Sequence, residues 1–173
     1  MHKAEATQRQ WAQKYQLYDV SLERSLGGSD ARLEREQAIA MIDLLEKNTF
    51  APLEHSGGPY RLSIATADTR LALHITTDRG AHVLSHFLSL APFRRLIKDY
   101  AGICASYYDT IAGPGSDRLE AIDMSRRVLH DEAAGLLRER LSSTLTVDHD
   151  TARRLFTLIY VLVARDAPYR ILS

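Results

Sequence analysis

The chain has 173 residues, with 22 Lys plus Arg against 22 Asp plus Glu, and is 45% apolar and 25% charged. That length suits one domain able to bury a sizeable core, and the composition is that of an ordinary globular protein. The lack of a basic excess disfavours nucleic acid as a partner, and a single cysteine rules out an internal disulfide. The N-terminus, MHKAEATQRQW, has no apolar signal core, and the longest apolar run, 155–163, is too short to span a bilayer. The expected setting is therefore the cytoplasm, with no membrane association.

Residues 3–16 read as a short polar helix with Trp11 and Tyr15 at i, i+4, standing apart from a single domain over 17–173. LYDVSLE, 17–23, alternates as a strand does. Ser29 or Asp30 is placed to cap a helix over 31–48. The apolar face predicted for that helix is Leu33, Ala38, Ile39, Ile42, Leu44 and Leu45, with 34–38 turned to solvent. A loop follows over 48–58, marked by Pro52 and Gly57-Gly58. PYRLSIAT, RLALHITT and HVLSHFLSL then alternate as three strands, with Asp78-Arg79-Gly80 as a hairpin turn. A three-residue turn would set Ile75 opposite Val83 and Leu73 opposite Ser85, and would put His74, His82 and His86 on one face.

Pro92 suits the first position of a helix. Phe93, Leu96, Ile97, Tyr100, Ile103, Cys104, Tyr107 and Ile111 recur after it at helical spacing, and Gly113-Pro114 ends the pattern. Asp117 and Glu120 have capping-box spacing. They would open a helix running to about Leu141 on a face of Ile122, Leu129, Ala133, Leu136, Leu137 and Leu141. LTVD, 145–148, reads as a short strand. Asp148 or Asp150 would cap a last helix through LFTLIYVLV, whose β-rich composition keeps a strand as the alternative. The architecture predicted is α+β: a small, mostly antiparallel sheet of four to five strands, with four to five helices, some packed on one face.

Three constellations could carry chemistry. Arg94, Arg95 and Lys98 crowd a helix start, where backbone amides and cations together favour an anion, although Arg95 and Asp99 can equally pair at i, i+4. In SRRVLHDE, Arg126 and His130 are i, i+4, and Arg127 can reach Asp123 and Asp131. Arg126 biases His130 toward its neutral form, and a carboxylate-oriented histidine can act as a general acid or base. Against this stands an exposed or half-buried histidine in a charge ladder. The third group is the histidine trio of the hairpin, a weak metal candidate with no HExxH or CxxC pattern to support it. The basic clusters at 94–98, 126–127 and 153–154 matter only if they converge. No cofactor motif is present, and Cys104 on the apolar stripe reads as a buried thiol.

FRRLIKDY, ICASYY, AIDMSRR, LHDEAAGLL and VDHDTARRLFTLIYVL, in that order, resemble family two-six-two of the UPF series, small uncharacterised alphaproteobacterial proteins. The resemblance runs from about Tyr18 to Leu162. It implies a bacterial intracellular protein and assigns no activity to any residue. Two functions then follow from the residues. One is a non-enzymatic protein acting by protein binding or self-association, as a homodimer through the apolar last helix or the Tyr107–Tyr108 region. The other is an enzyme or sensor of a phosphorylated or carboxylated small molecule, held by Arg94, Arg95 and Lys98 with Arg126 and Arg127, and with His130 as acid or base.

Overall fold

The computed structural model describes residues 3, 14–23, 30–111, 113 and 116–166. The polar helix expected over 3–16 lies largely outside them. In chain order the elements are β1 (Leu17–Leu22), α1 (Ala31–Glu46), β2 (Phe50–Pro52), β3 (Tyr60–Ala67), β4 (Arg70–Thr77) and β5 (His82–Ser89). A 3-10 turn (Ala91–Phe93) leads into α2 (Arg94–Ile111), followed by α3 (Ser116–Leu141), β6 (Leu145–Val147) and α4 (His149–Asp166). The fold is α+β.

The main sheet has the order β1-β3-β4-β5. β3, β4 and β5 form an antiparallel meander, while β1 lies parallel to β3. A parallel neighbour requires the chain to cross back over the sheet, and α1 lies in that crossover. A bulge between Leu17 and Asp19 shifts the alternation of β1, so that Leu17 and Val20 both reach the core. Asn48 then ties β1 to the end of α1. Its Oδ1 accepts from the Leu17 amide at 2.7 Å, and its Nδ2 donates to the carbonyls of Leu17 (3.0 Å) and Leu44 (2.9 Å). Part of the expected 48–58 loop is in fact β2, paired antiparallel with β6.

The hairpin register differs from expectation by one residue. Leu73 faces His86 and Ile75 faces Leu84, while Thr76 faces His82, leaving Val83 as the extra residue of a bulge. A one-residue slip exchanges the faces of a strand. His86 therefore turns to the core side beside Leu73, and the three histidines do not share a face. His74 and His82 stay outside, both bonded to the Ser85 hydroxyl at 2.8 and 3.1 Å. His86 bonds the Thr144 hydroxyl at 2.8 Å. Among the described residues no group of three or more His, Cys, Asp or Glu stands where it could hold a metal ion.

LFTLIYVLV is helical, and every residue from Leu155 to Leu162 is buried. α4 packs against α1 and α3, with β3 also in contact. The Asp148 carboxylate caps it by accepting from the Thr151 amide at 3.2 Å. Asp30 caps α1 in the same way, through the amides of Arg32 and Leu33. The α1 face is rotated from the one expected: Ala40 and Leu44 are buried, whereas Ile39 and Ile42 are 53% and 66% exposed. Glu36 and Gln37, assigned to solvent by the apolar pattern, are half-buried. α3 begins at Ser116, so Asp117 is inside its first turn, where it meets the positive end of the helix dipole, and is not its cap. Leu129, Ala133, Ala134, Leu137 and Leu141 make the core of α3, with Leu136 only half-buried.

Leu137→Ala should cost about 2–5 kcal/mol, the usual range for a buried large-to-small change. Asn48→Ala should cost about 1–3 kcal/mol through the orphaned Leu17 amide. Val128→Ala, on the exposed side of α3, should stay within about 0.5 kcal/mol. Urea midpoints read all three, and equal shifts for Leu137→Ala and Val128→Ala would contradict the assigned face.

Candidate functional site

The helices leave a cleft of about 210 Å³ between them. From α1, Glu36, Ile39, Ala40 and Asp43 line it, spaced as one helical face. α2 supplies Tyr100, and α3 supplies Arg126 and His130, one turn apart. α4 contributes Asp150, Arg153, Arg154 and Thr157, again on one face.

His130 is buried, 9% exposed, with the rings of Tyr100 and Phe156 at centroid distances of 5.0 and 6.3 Å. Its Nε2 lies 3.2 Å from the Thr157 hydroxyl, and that hydroxyl is 3.3 Å from the Arg153 carbonyl. A hydroxyl has one proton and a carbonyl only accepts. The proton therefore goes to the carbonyl, Nε2–H donates to Thr157, and the lone pair is on Nδ1. Burial holds the His130 pKa down to about 4, helped by Arg153 and Arg126 and only partly opposed by Asp131. The ring is thus neutral at physiological pH.

The charged groups are loosely paired. Glu36 accepts from the Tyr100 hydroxyl at 3.2 Å, but its other oxygen is 3.8 Å from Arg126 Nη2. Arg153 and Asp150 are 3.6 Å apart. Arg154 donates to the Lys47 carbonyl at 3.4 Å. Consequently Arg126 Nε and Nη2, and Arg153 Nε, are buried without a hydrogen-bond partner among the described residues. Burial works against the Arg126 charge but is outweighed by Tyr100, Glu36 and Cys104, so its pKa moves up.

Of the site residues read from the sequence, the structure brings His130 and Arg126 together. Arg127 is exposed and outside the cleft. Arg94, Arg95 and Lys98 are exposed at the start of α2, and none of them lines it. Arg95 pairs with Asp99 at 3.3 Å, as its spacing suggested, and also with Glu132. Asp131 bonds His149 at 2.9 Å and does not orient His130. His130 itself is a core residue, neither exposed nor in a charge ladder. Cys104 is buried, and burial pushes its thiol up to about 11, which leaves it protonated and a poor nucleophile at neutral pH. Sequence reasoning missed Glu36, Tyr100 and Thr157 as site residues. The available signal was a polar interruption of three apolar stripes at matching depth: Glu36 on α1, Arg126 and His130 on α3, Thr157 on α4.

The neutral imidazole has a measurable consequence. An unfolded histidine titrates near pH 6.5, so the unfolded chain takes up this proton before the folded one does. Stability should be unaffected by His130 above that pH and should fall as pH drops from 6.5 toward about 4, by about 3 kcal/mol in full. His86, also shifted down by burial, adds in the same direction. Urea unfolding followed by circular dichroism at pH 7, 5.5 and 4.5 reads the slope. His130→Gln should remove most of it, and an unchanged slope would contradict the buried neutral ring.

The match to known proteins spans the same elements. A UPF0262 protein of Rhizobium etli (strain CIAT 652) is 50% identical over 151 residues, 87% of this chain and 96% of the relative. One from Agrobacterium fabrum (strain C58) is likewise 50% identical over 151 residues, with the same coverage. One from Chelativorans sp. (strain BNC1) is 49% identical over 150 residues, 86% of this chain and 93% of the relative. No solved structure matches. The family model described as "Uncharacterised protein family (UPF0262)" matches residues 14–165, from before β1 almost to the end of α4, and the chain belongs to that family.

Proposed function

We propose that the cleft between α1, α3 and α4 binds a small molecule through a carboxylate or phosphate group. The observation that carries this is the set of buried guanidinium N–H groups without acceptors on Arg126 and Arg153. Each such donor costs about 1–3 kcal/mol when left unmade. Nε and Nη2 lie along one edge of the planar Arg126 guanidinium, and that edge matches two oxygens of a carboxylate or phosphate. His130, held neutral, adds no third buried charge beside the two arginines and leaves Nδ1 as an acceptor.

The competing expectation was protein binding or self-association, as a homodimer through the apolar last helix or the Tyr107–Tyr108 region. That helix is covered within one chain, since Leu155 to Leu162 are all buried. Its need for cover therefore gives no reason for a second copy. The cleft, by contrast, contains polar groups that protein packing leaves unmatched. The anion site read at the start of α2 is replaced in this proposal by one about Arg126, because Arg94 and Lys98 are exposed and Arg95 is already paired with Asp99 and Glu132.

A thermal-shift screen of small carboxylated and phosphorylated compounds at fixed ionic strength tests the proposal. Responders should act saturably. The charge-preserving pair Arg126→Lys with Arg153→Lys, which removes the fork but not the cations, should weaken them at least tenfold. Arg94→Ala with Lys98→Ala should leave them unchanged. The reverse pattern would return the site to the start of α2.

A further inference from the structure

The carboxylates Glu36, Asp43 and Asp150 line the cleft beside Arg126, Arg153 and Arg154, and His130 is neutral. Three positive and three negative groups thus cancel. A cleft built for a bare anion would not carry three carboxylates. A dianionic phosphate ester would leave it with two surplus negative charges in a partly desolvated space, where like charges repel strongly.

The deepest of these groups form a pair with an unusual spacing. Glu36 Oε1 and Arg126 Nη2 are 3.8 Å apart, beyond hydrogen-bond range, and their side chains are only 17% and 25% exposed. An anion-binding fork and a cation-binding oxygen therefore stand side by side without satisfying one another. A ligand with a carboxylate and a protonated amine on neighbouring atoms would satisfy both and add no net charge. The volume, about 210 Å³, is below the ~300–1,000 Å³ usual for drug-sized ligands, which favours a small one. Ile39 and Ala40 supply an apolar wall beside the charges.

We infer that the ligand is a free α-amino-acid-type zwitterion, its carboxylate on Arg126 and its ammonium on Glu36. This rests on the cleft binding an anionic group at all.

The test measures binding by calorimetry for each common L-amino acid, for the deaminated acid and decarboxylated amine of every responder, and for inorganic phosphate. At least one amino acid should bind saturably, with its deaminated acid and its amine each at least tenfold weaker. Glu36→Gln, nearly isosteric, should lose at least tenfold for the amino acid and leave the deaminated acid unchanged. Should that variant not fold by circular dichroism, the ranking of acid, amine and amino acid on the native protein decides alone. Equal binding of amino acid and deaminated acid would overturn the zwitterion and leave anion binding standing. So would binding of inorganic phosphate with no amino acid responding. Silence from every amino acid and from phosphate would overturn the zwitterion, and the thermal-shift screen of carboxylated and phosphorylated compounds then decides anion binding.

Discussion

From Leu155 to Leu162, with Thr157 the one polar interruption, helix α4 carries apolar residues on every side, and such a helix must be enclosed. A domain of this size has one core and room for one helix of that kind. The rest of the fold follows from the enclosure. α1 and α3 flank α4, and β3 contributes a further contact. The crossover that places α1 there also makes β1 a parallel neighbour of β3, and Asn48 secures the corner where strand and helix meet. The polar first half of α4, with Asp150, Arg153, Arg154 and Thr157, is flanked by the same helices. There Thr157 is buried and Arg153 and Arg154 are half-buried, while Asp150 stays exposed at the rim. The cleft is the consequence of one helix being apolar along half its length and charged along the other.

Charge inside that cleft is kept in balance by two different means. Arg126 keeps its proton and is opposed by Glu36 at 3.8 Å. His130 gives up its charge, because burial and two arginines outweigh the support of Asp131 for an imidazolium. Replacing the neutral ring by a cation would place three positive groups around one carboxylate at the bottom of the site. The tautomer fixed by Thr157 then determines which nitrogen is left for a ligand.

Most of the fold was legible in the sequence, and the exceptions have identifiable causes. Periodicity located α2, α3, α4 and the meander because their apolar residues repeat at the period of the element, with few polar interruptions. The register of β4 and β5 was not legible, since the bulge at Val83 leaves no mark in a run of alternating residues and shifts every partner beyond it. The face of α1 was misplaced because Glu36 and Gln37 occupy positions that packing usually gives to apolar residues, which made Ile39 and Ile42 look like the core. About half of the site was visible. Arg126 and His130 stood out as a pair at i, i+4. Their partners Glu36, Tyr100, Arg153 and Thr157 lie on three other helices, and only tertiary packing brings them near. The cations at 94–98 drew attention because they are adjacent in sequence, which is how solvated charges usually occur.

Glu36 has a place in two cavities, and this bears on how the site is held. Beyond the cleft, a second space of about 180 Å³ is lined by Asp30, Arg32, Cys104, Tyr108 and Tyr160, with Glu36 again on its wall. Its other buried acids are kept neutral. Burial pushes Tyr160 up, as it does Tyr100, and puts the Cys104 thiol at about 11. Glu36 is thus the innermost negative charge of both spaces, fixed by the Tyr100 hydroxyl on one oxygen and balanced by Arg126 across a gap on the other. Arg126 also lies over the Tyr107 ring, whose centroid is 5.0 Å from the guanidinium carbon. Each partner thus has a second contact, and the two stand 3.8 Å apart. A pair so spaced leaves guanidinium donors unmatched, and in this it differs from a packed structural ion pair.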